Sequence, residues 1–174
     1  MSGCVHILLI DDHALFRKSL VRLLAVEAGL SVVGHCATIA EARRIMSATS
    51  VDVVLLDYEL GEESGTDLLK YLHQTESKAR VLVLTAGMRA SATLTALDSG
   101  AAGVILKHSG TRQLLEAINR VAHGETWWDT ALLRAALTDA KDKTDILAKA
   151  TAFCCAIPDR TVNSLWGIAP KGTG

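Results

Sequence analysis

Asp11, Asp12, Asp57, Thr85 and Lys107 are the residues whose types and positions could do chemistry together. Each follows directly on, or closes, a short apolar run: Val5–Ile10 leads into Asp11-Asp12, Val51–Leu56 into Asp57, Val81–Leu84 into Thr85, and Gly103–Leu106 into Lys107. Short apolar runs rich in Val, Leu and Ile are what strands buried on both faces of a parallel sheet look like. Open α/β sheets gather ligand sites at the C-terminal ends of their strands. Three carboxylates crowded there would repel one another and push at least one pKa upward. A hard divalent cation with oxygen ligands removes that penalty, and Mg²⁺ suits a few carboxylates, a backbone carbonyl and waters. With the cation and the Lys107 ammonium present, a dianionic phosphoryl group becomes acceptable. One ionised carboxylate could then attack phosphorus and form an acyl phosphate, with positioning and charge neutralisation carrying the catalysis.

The elements that must hold these residues follow from the intervening periodicity. Leu15, Phe16, Leu20, Leu23 and Leu24 lie at helix-face spacing between His13 and Glu27, with Gly29 as the stop. A second strand covers Ser31–Cys36, and a second helix covers Ala40–Ala48 with Thr38 as N-cap. After the central strand, a loop carrying Gly61 and Gly65 precedes a third helix, Thr66–His73. The fourth strand is Ala79–Thr85, followed by a helix at Ala90–Ser99 with Gly100 at its C-terminal cap. The fifth strand is Gly103–Lys107. The fifth helix is Arg112–His123, which the sequence predicts to be capped by Thr111 and stopped by Gly124. Five strands alternating with five helices predict a flavodoxin-like (βα)5 fold, a doubly wound parallel sheet of order 2-1-3-4-5 with right-handed crossovers. In that order the switch point lies between strands one and three, so the three carboxylates converge and Thr85 and Lys107 close the other side.

In this arrangement the residues resemble the receiver domain of bacterial two-component response regulators, of the NarL/FixJ branch whose receivers precede a LuxR-type helix-turn-helix. The matching positions are Asp11-Asp12, Asp57, Thr85 followed by the small Ala86, and Lys107, in order over roughly Val5–Gly124. The resemblance implies that Asp57 is the phosphoacceptor. It implies that Asp12 and Asp57 bind Mg²⁺ directly, with the backbone carbonyl of Glu59, and that Asp11 acts through water. Lys107 would pair with the phosphoryl oxygens, and Thr85 would supply the hydroxyl that moves when the domain switches. It implies a sensor histidine kinase or phosphotransfer protein as phosphoryl donor, and a signalling switch whose only chemistry is its own phosphorylation and dephosphorylation. Homodimers are expected through helix four, strand five and helix five, or through helices one and five. Three positions depart from the family pattern. Val104 stands where an aromatic often precedes the lysine, Gly61 replaces a common proline in a loop expected to be more mobile, and His108 follows Lys107 where proline is frequent.

Other readings fit less well. Asp11 and Asp12 could merely cap the first helix, but one aspartate would suffice. A flavodoxin-type FMN carrier would want a hydroxyl- and glycine-rich loop after strand one, and a dehydrogenase would want G-x-G-x-x-G there. A Mg²⁺-dependent phosphatase of the haloacid-dehalogenase type also uses an aspartate nucleophile. Its second acid, two residues on, would here be Glu59, and no general-acid aspartate follows.

The formal net charge of -1 gives no general attraction to nucleic acid or anionic membrane. No apolar stretch approaches the ~20 residues that cross a bilayer, and no signal peptide is visible, so a cytoplasmic protein is expected. Cys4, Cys36, Cys154 and Cys155 lack metal-site spacing and read as free thiols. The domain expectation is a receiver over 4–124 and a helical C-terminal extension over 125–174. The extension would hold short helices at Thr130–Leu137, capped by Asp129 or Thr130, and at Ala140–Ala150. From Gly124 onward there are six Lys/Arg and six Asp/Glu, so the basic face of a DNA-binding module is missing. DNA binding by this chain is therefore not expected, and the output region reads as truncated or replaced. The alternative is a transcriptional regulator with a small degenerate output module.

Overall fold

The computed structural model describes residues 3–61, 63–130, 132 and 134, all within one compact unit, Met1–Ala140. The apolar runs become parallel strands β1 (Val5–Ile10), β2 (Leu30–Cys36), β3 (Val53–Asp57), β6 (Arg80–Thr85) and β7 (Gly103–Leu106). Helices α1 (Ala14–Ala25), α2 (Ile39–Ala48), α3 (Gly65–Gln74), α4 (Ala90–Asp98) and α5 (Thr111–Ala122) cross between or follow them. The short strands β4 (Glu59–Leu60) and β5 (Glu63–Ser64) pair with each other, and β8 (Trp127–Trp128) follows α5. The main sheet runs β2-β1-β3-β6-β7-β8, parallel throughout. The order of the five expected strands is the predicted one, with β8 added at the edge.

Side-chain alternation along the strands splits the interior into two layers. Ile7, Leu9, Val53, Leu55, Leu82, Leu84 and Ile105 meet α1 and α5 through Leu20, Leu24, Ile118 and Val121. Leu8, Ile10, Val54, Leu56, Val83 and Val104 meet α2, α3 and α4 through Ile39, Leu68, Leu72 and Ala96. A one-residue slip of β3 would exchange its two faces. Register is therefore fixed by packing on both sides, and Asp57 is fixed with it.

Helix starts follow local chemistry where a hydroxyl is available. The Thr38 hydroxyl accepts from Glu41 N at 3.3 Å while the Glu41 carboxylate accepts from Ala37 N at 3.1 Å, a reciprocal cap. The expected cap at Thr111 is corrected. Thr111 is the first residue of α5, the chain turns in at Gly110, and no side chain caps the helix. Both residues are exposed, so water can serve the first N–H groups.

Two features lie outside the five-strand expectation. The loop after Asp57 closes as the β4–β5 hairpin, with Leu60 buried beneath it and Gly61 at φ +59. A proline could not adopt that φ, so the glycine has a conformational reason. At the other edge, Trp127 and Trp128 pair with Gly103 and Val104. A Cβ at Gly103 would lie 2.1 Å from the Trp127 carbonyl oxygen, so β8 can approach this closely only because residue 103 has no side chain. Beyond β8, Leu132 N donates to Asp129 Oδ1 at 3.3 Å, in keeping with the expected cap at Asp129. Most of the expected helix Thr130–Leu137, and all of Ala140–Ala150 with Cys154 and Cys155, lie outside the described residues. Among the described residues no helix is long and apolar enough to cross a membrane.

Candidate functional site

Parallel pairing of β1 with β3 brings Ile10 opposite Leu56, so the residues that follow, Asp11 and Asp57, leave the sheet side by side. Asp11 is fully buried, and Asp57 and Thr85 are nearly so. Lys107 reaches in from the end of β7, where its backbone N–H donates to the Thr85 carbonyl at 2.7 Å. Its Nζ lies 2.7 Å from Asp57 Oδ2 and 2.8 Å from Asp11 Oδ2, with only 15% of the side chain exposed. The Asp57 contact is an aligned hydrogen bond. The Asp11 contact is an ion pair, and Asp11 Oδ2 has no other donor.

Asp12 and His13 stand at the rim. His13 Nδ1 is 2.7 Å from Asp12 Oδ1, 3.4 Å from Asp11 Oδ1 and 3.7 Å from Asp57 Oδ2. The His13 backbone N–H donates to Asp11 Oδ1 at 2.7 Å, and the Glu59 N–H donates to Asp57 Oδ1 at 3.3 Å. Asp11, Asp12, His13 and Asp57 each offer a ligand atom, all within 4.8 Å of one another. An open groove lined by Asp12, His13, Tyr58, Glu59, Gly61 and Ser64 runs beside them.

The electrostatics follow from burial. Loss of solvent pushes the Asp57 carboxyl above its ordinary range, the hydrogen bond from Lys107 counters this, and the neighbouring Asp11 charge adds to it. Burial alone would lower the Lys107 pKa. Its contacts with Asp11 and Asp57 outweigh that and hold the ammonium above its usual value. Lys107 offsets only one of three carboxylate charges, so the cluster stays anionic. Its oxygen-rich donor set fits a hard divalent cation.

Asp11, Asp12, Asp57 and Lys107 are thus brought together as expected. Thr85 lies at the adjoining strand end, but its hydroxyl accepts from Gly87 N at 3.1 Å, turned to its own loop. Glu59 presents its backbone N–H to Asp57, while its side chain is exposed. Val104 is fully buried in β7.

Three residues escaped the sequence reading. His13 carries no metal-site spacing, and its signal was only adjacency to the acidic pair. Phe16 was read as core on α1, yet its ring centroid lies 4.8 Å from Lys107 Nζ, where it shields and attracts the ammonium. Arg17 Nη1 donates to the Asp11 carbonyl and so clamps the β1–α1 turn. Asp52, at the other end of β3, pairs instead with His6 Nδ1 at 3.0 Å, far along the strand from the cluster. Cys4 and Cys36 are free, and burial pushes the Cys36 thiol up to about 11.

The model of one protein family, described as the response regulator receiver domain, matches residues 7–119. A nitrate/nitrite response regulator protein homolog of Haemophilus influenzae is 36% identical over 125 residues, covering 72% of this chain and 60% of that protein. The DNA-binding transcriptional activator DevR/DosR of Mycobacterium tuberculosis is 34% identical over 150 residues, covering 84% of this chain and 69% of that one. Among solved structures, the signal receiver domain of NarL from Mycobacterium tuberculosis superposes with a TM-score of 0.67 at 32% identity, covering 71% of this chain and 99% of that one. A LuxR-family two-component response regulator from Aurantimonas gives 0.73 at 27% identity, covering 79% and 98%.

Proposed function

Since the chain belongs to the response regulator receiver domain family, we propose that it is a phosphoacceptor switch in which Asp57 takes a phosphoryl group from a histidine kinase or phosphotransfer protein. The observation that carries this reading is the Lys107 ammonium, lodged between the Asp57 and Asp11 carboxylates at 2.7 and 2.8 Å, beside Asp12. Asp57 Oδ attacks phosphorus and a new O–P bond forms. The donor's bond to phosphorus breaks, and its leaving group departs with the electron pair. Asp12, Asp57 and the Glu59 backbone carbonyl would hold Mg²⁺, with Asp11 acting through water. Bound there, the cation supplies neutralising charge for the phosphoryl oxygens.

Lys107 starts on the carboxylates and ends on a phosphoryl oxygen. The Thr85 hydroxyl must leave Gly87 N to reach the same group, carrying the β6–α4 loop with it. Such a shift biases the α4–β7–α5 face, the first candidate for dimerisation, with α1 and α5 the second. The product is a signal rather than a released compound, so the chain is not proposed to turn over a substrate. The receiver is assigned to 4–124, and the cytoplasm is the compartment that fits a kinase-fed switch. Control of transcription, the role in the names of the relatives, belongs to proteins of which this chain spans 60% and 69%. DNA binding by residues 125–174 is not proposed, because their charges balance.

The test is incubation of the full chain with acetyl phosphate and Mg²⁺, followed by intact mass spectrometry. One phosphoryl group per chain, decaying slowly, absent with a chelator and absent in Asp57→Asn, is the expected result. An equal yield in Asp57→Asn, or continuous release of phosphate far beyond stoichiometry, refutes it.

A further inference from the structure

We propose that His13 is a ligand of the divalent ion at this site, giving it a mixed oxygen and nitrogen donor set that favours imidazole-accepting ions such as Mn²⁺ over Mg²⁺. The inference rests on the metal-site reading above and extends it to a residue that reading leaves unused. Its ground is geometric. A single nitrogen, Nδ1, approaches one oxygen of each of three carboxylates, at 2.7, 3.4 and 3.7 Å. The ring thus faces Asp57, which comes from a different strand, as well as its chain neighbour Asp12.

A second observation points the same way. Asp11 is fully buried, and its Oδ2, 2.8 Å from Lys107 Nζ, has no other donor inside the same cluster. The groove then continues from Asp12 and His13 to Glu59. With 67% of its side chain exposed, His13 is free of core packing and can adjust to an ion. Its backbone, by contrast, is fixed at the N-cap of α1 by the hydrogen bond to Asp11. Mg²⁺ takes oxygen and keeps its waters, whereas Mn²⁺ and later divalent ions accept imidazole readily. A nitrogen among these carboxylates should therefore change the relative affinity for the two ions, more than the affinity for Mg²⁺ itself.

The experiment uses Mn²⁺ as the probe on the full chain, in wild type, His13→Ala, His13→Asn and Asp12→Asn. Electron spin-echo modulation reports a nitrogen bonded to Mn²⁺. Equilibrium binding, with Mg²⁺ as competitor, gives both affinities. Wild type should show ¹⁴N modulation, and both His13 variants should lose it. Their Mn²⁺ affinity should fall about tenfold, and their Mg²⁺ affinity less than about twofold. Asp12→Asn should weaken both ions. Bound Mn²⁺ without nitrogen modulation in wild type, or equal losses for both ions in the His13 variants, overturns the role of His13 while leaving the acidic site intact. Mn²⁺ binding indifferent to Asp12→Asn overturns the metal site itself, and His13 with it.

Discussion

Replacing Lys107 by methionine keeps an apolar side chain and removes the charge that separates two buried carboxylates. At 2.7 and 2.8 Å, and with an effective dielectric of about 20, each contact is worth ~6 kcal/mol of gross attraction. Drying the ammonium and both acids takes back most of it. Removing one partner of a buried pair typically leaves a net loss of about 3–5 kcal/mol. Burial already pushes Asp57 upward despite Lys107, so in the variant its carboxyl moves further and takes up a proton more readily, which limits the loss. The deficit should therefore grow as pH rises from acid toward neutral, because ionisation is what the folded site resists. Urea denaturation followed by circular dichroism in a chelator is the assay. The expected result near neutral pH is a loss of about 3 kcal/mol or more, a fall in Tm of roughly 10 °C. Asp57→Asn in the Lys107→Met background should recover at least half of it. Saturating Mg²⁺, at about a hundred times its Kd, should return ~2.7 kcal/mol. A loss under about 1 kcal/mol that is flat with pH would refute the argument, since the ammonium would then not be the counter-ion of this cluster.

Three further outcomes follow from the same geometry. Asp57→Asn should raise Tm relative to wild type more at pH 7 than at pH 4, measured without metal. A carboxyl raised above 3.8 contributes stability present below that value and lost as pH climbs through its folded pKa, so a larger gain at pH 4 would contradict the assigned direction. Gly103→Ala should expel β8, because its Cβ meets the Trp127 backbone. Losing the Trp127 N to Ala102 O and Asp129 N to Val104 O bonds, with the packing of both tryptophans, should cost about 2–4 kcal/mol and red-shift tryptophan fluorescence. Unchanged melting and emission would mean β8 is not held there. Gly61→Pro should destabilise by about 2 kcal/mol and Gly61→Asn by less than half of that, since asparagine tolerates the φ of +59 and proline does not; equal losses in the two melts would contradict this.

The sheet order and the convergence of Asp11, Asp12, Asp57 and Lys107 were legible because each strand is an apolar run long enough to be recognised and each ends on a chemically distinct residue. The strands β4, β5 and β8 were not. They are two residues long, and pairing across space defines them rather than any local period. Gly103 held the trace of β8, but a glycine at the start of a strand reads equally as a loop end. His13, Phe16 and Arg17 were hidden for a related reason. Helix periodicity accounts for Phe16 as a core residue, and only the angle at which α1 leaves β1 turns its ring over Lys107 and the Arg17 guanidinium onto the Asp11 carbonyl. The expected cap at Thr111 failed by one position, because a threonine that can cap can also sit in the first turn.

The most direct measurement is to locate the phosphoryl group itself. Acyl phosphate formed on the wild-type chain can be reduced with borohydride, which turns a phosphorylated aspartate into homoserine, and the peptides then sequenced by mass spectrometry. The account predicts homoserine at position 57 alone, formed only when a divalent cation was present during phosphorylation. Homoserine at 11 or 12 with none at 57, or a phosphoryl group recovered on a serine, threonine or histidine, would contradict it.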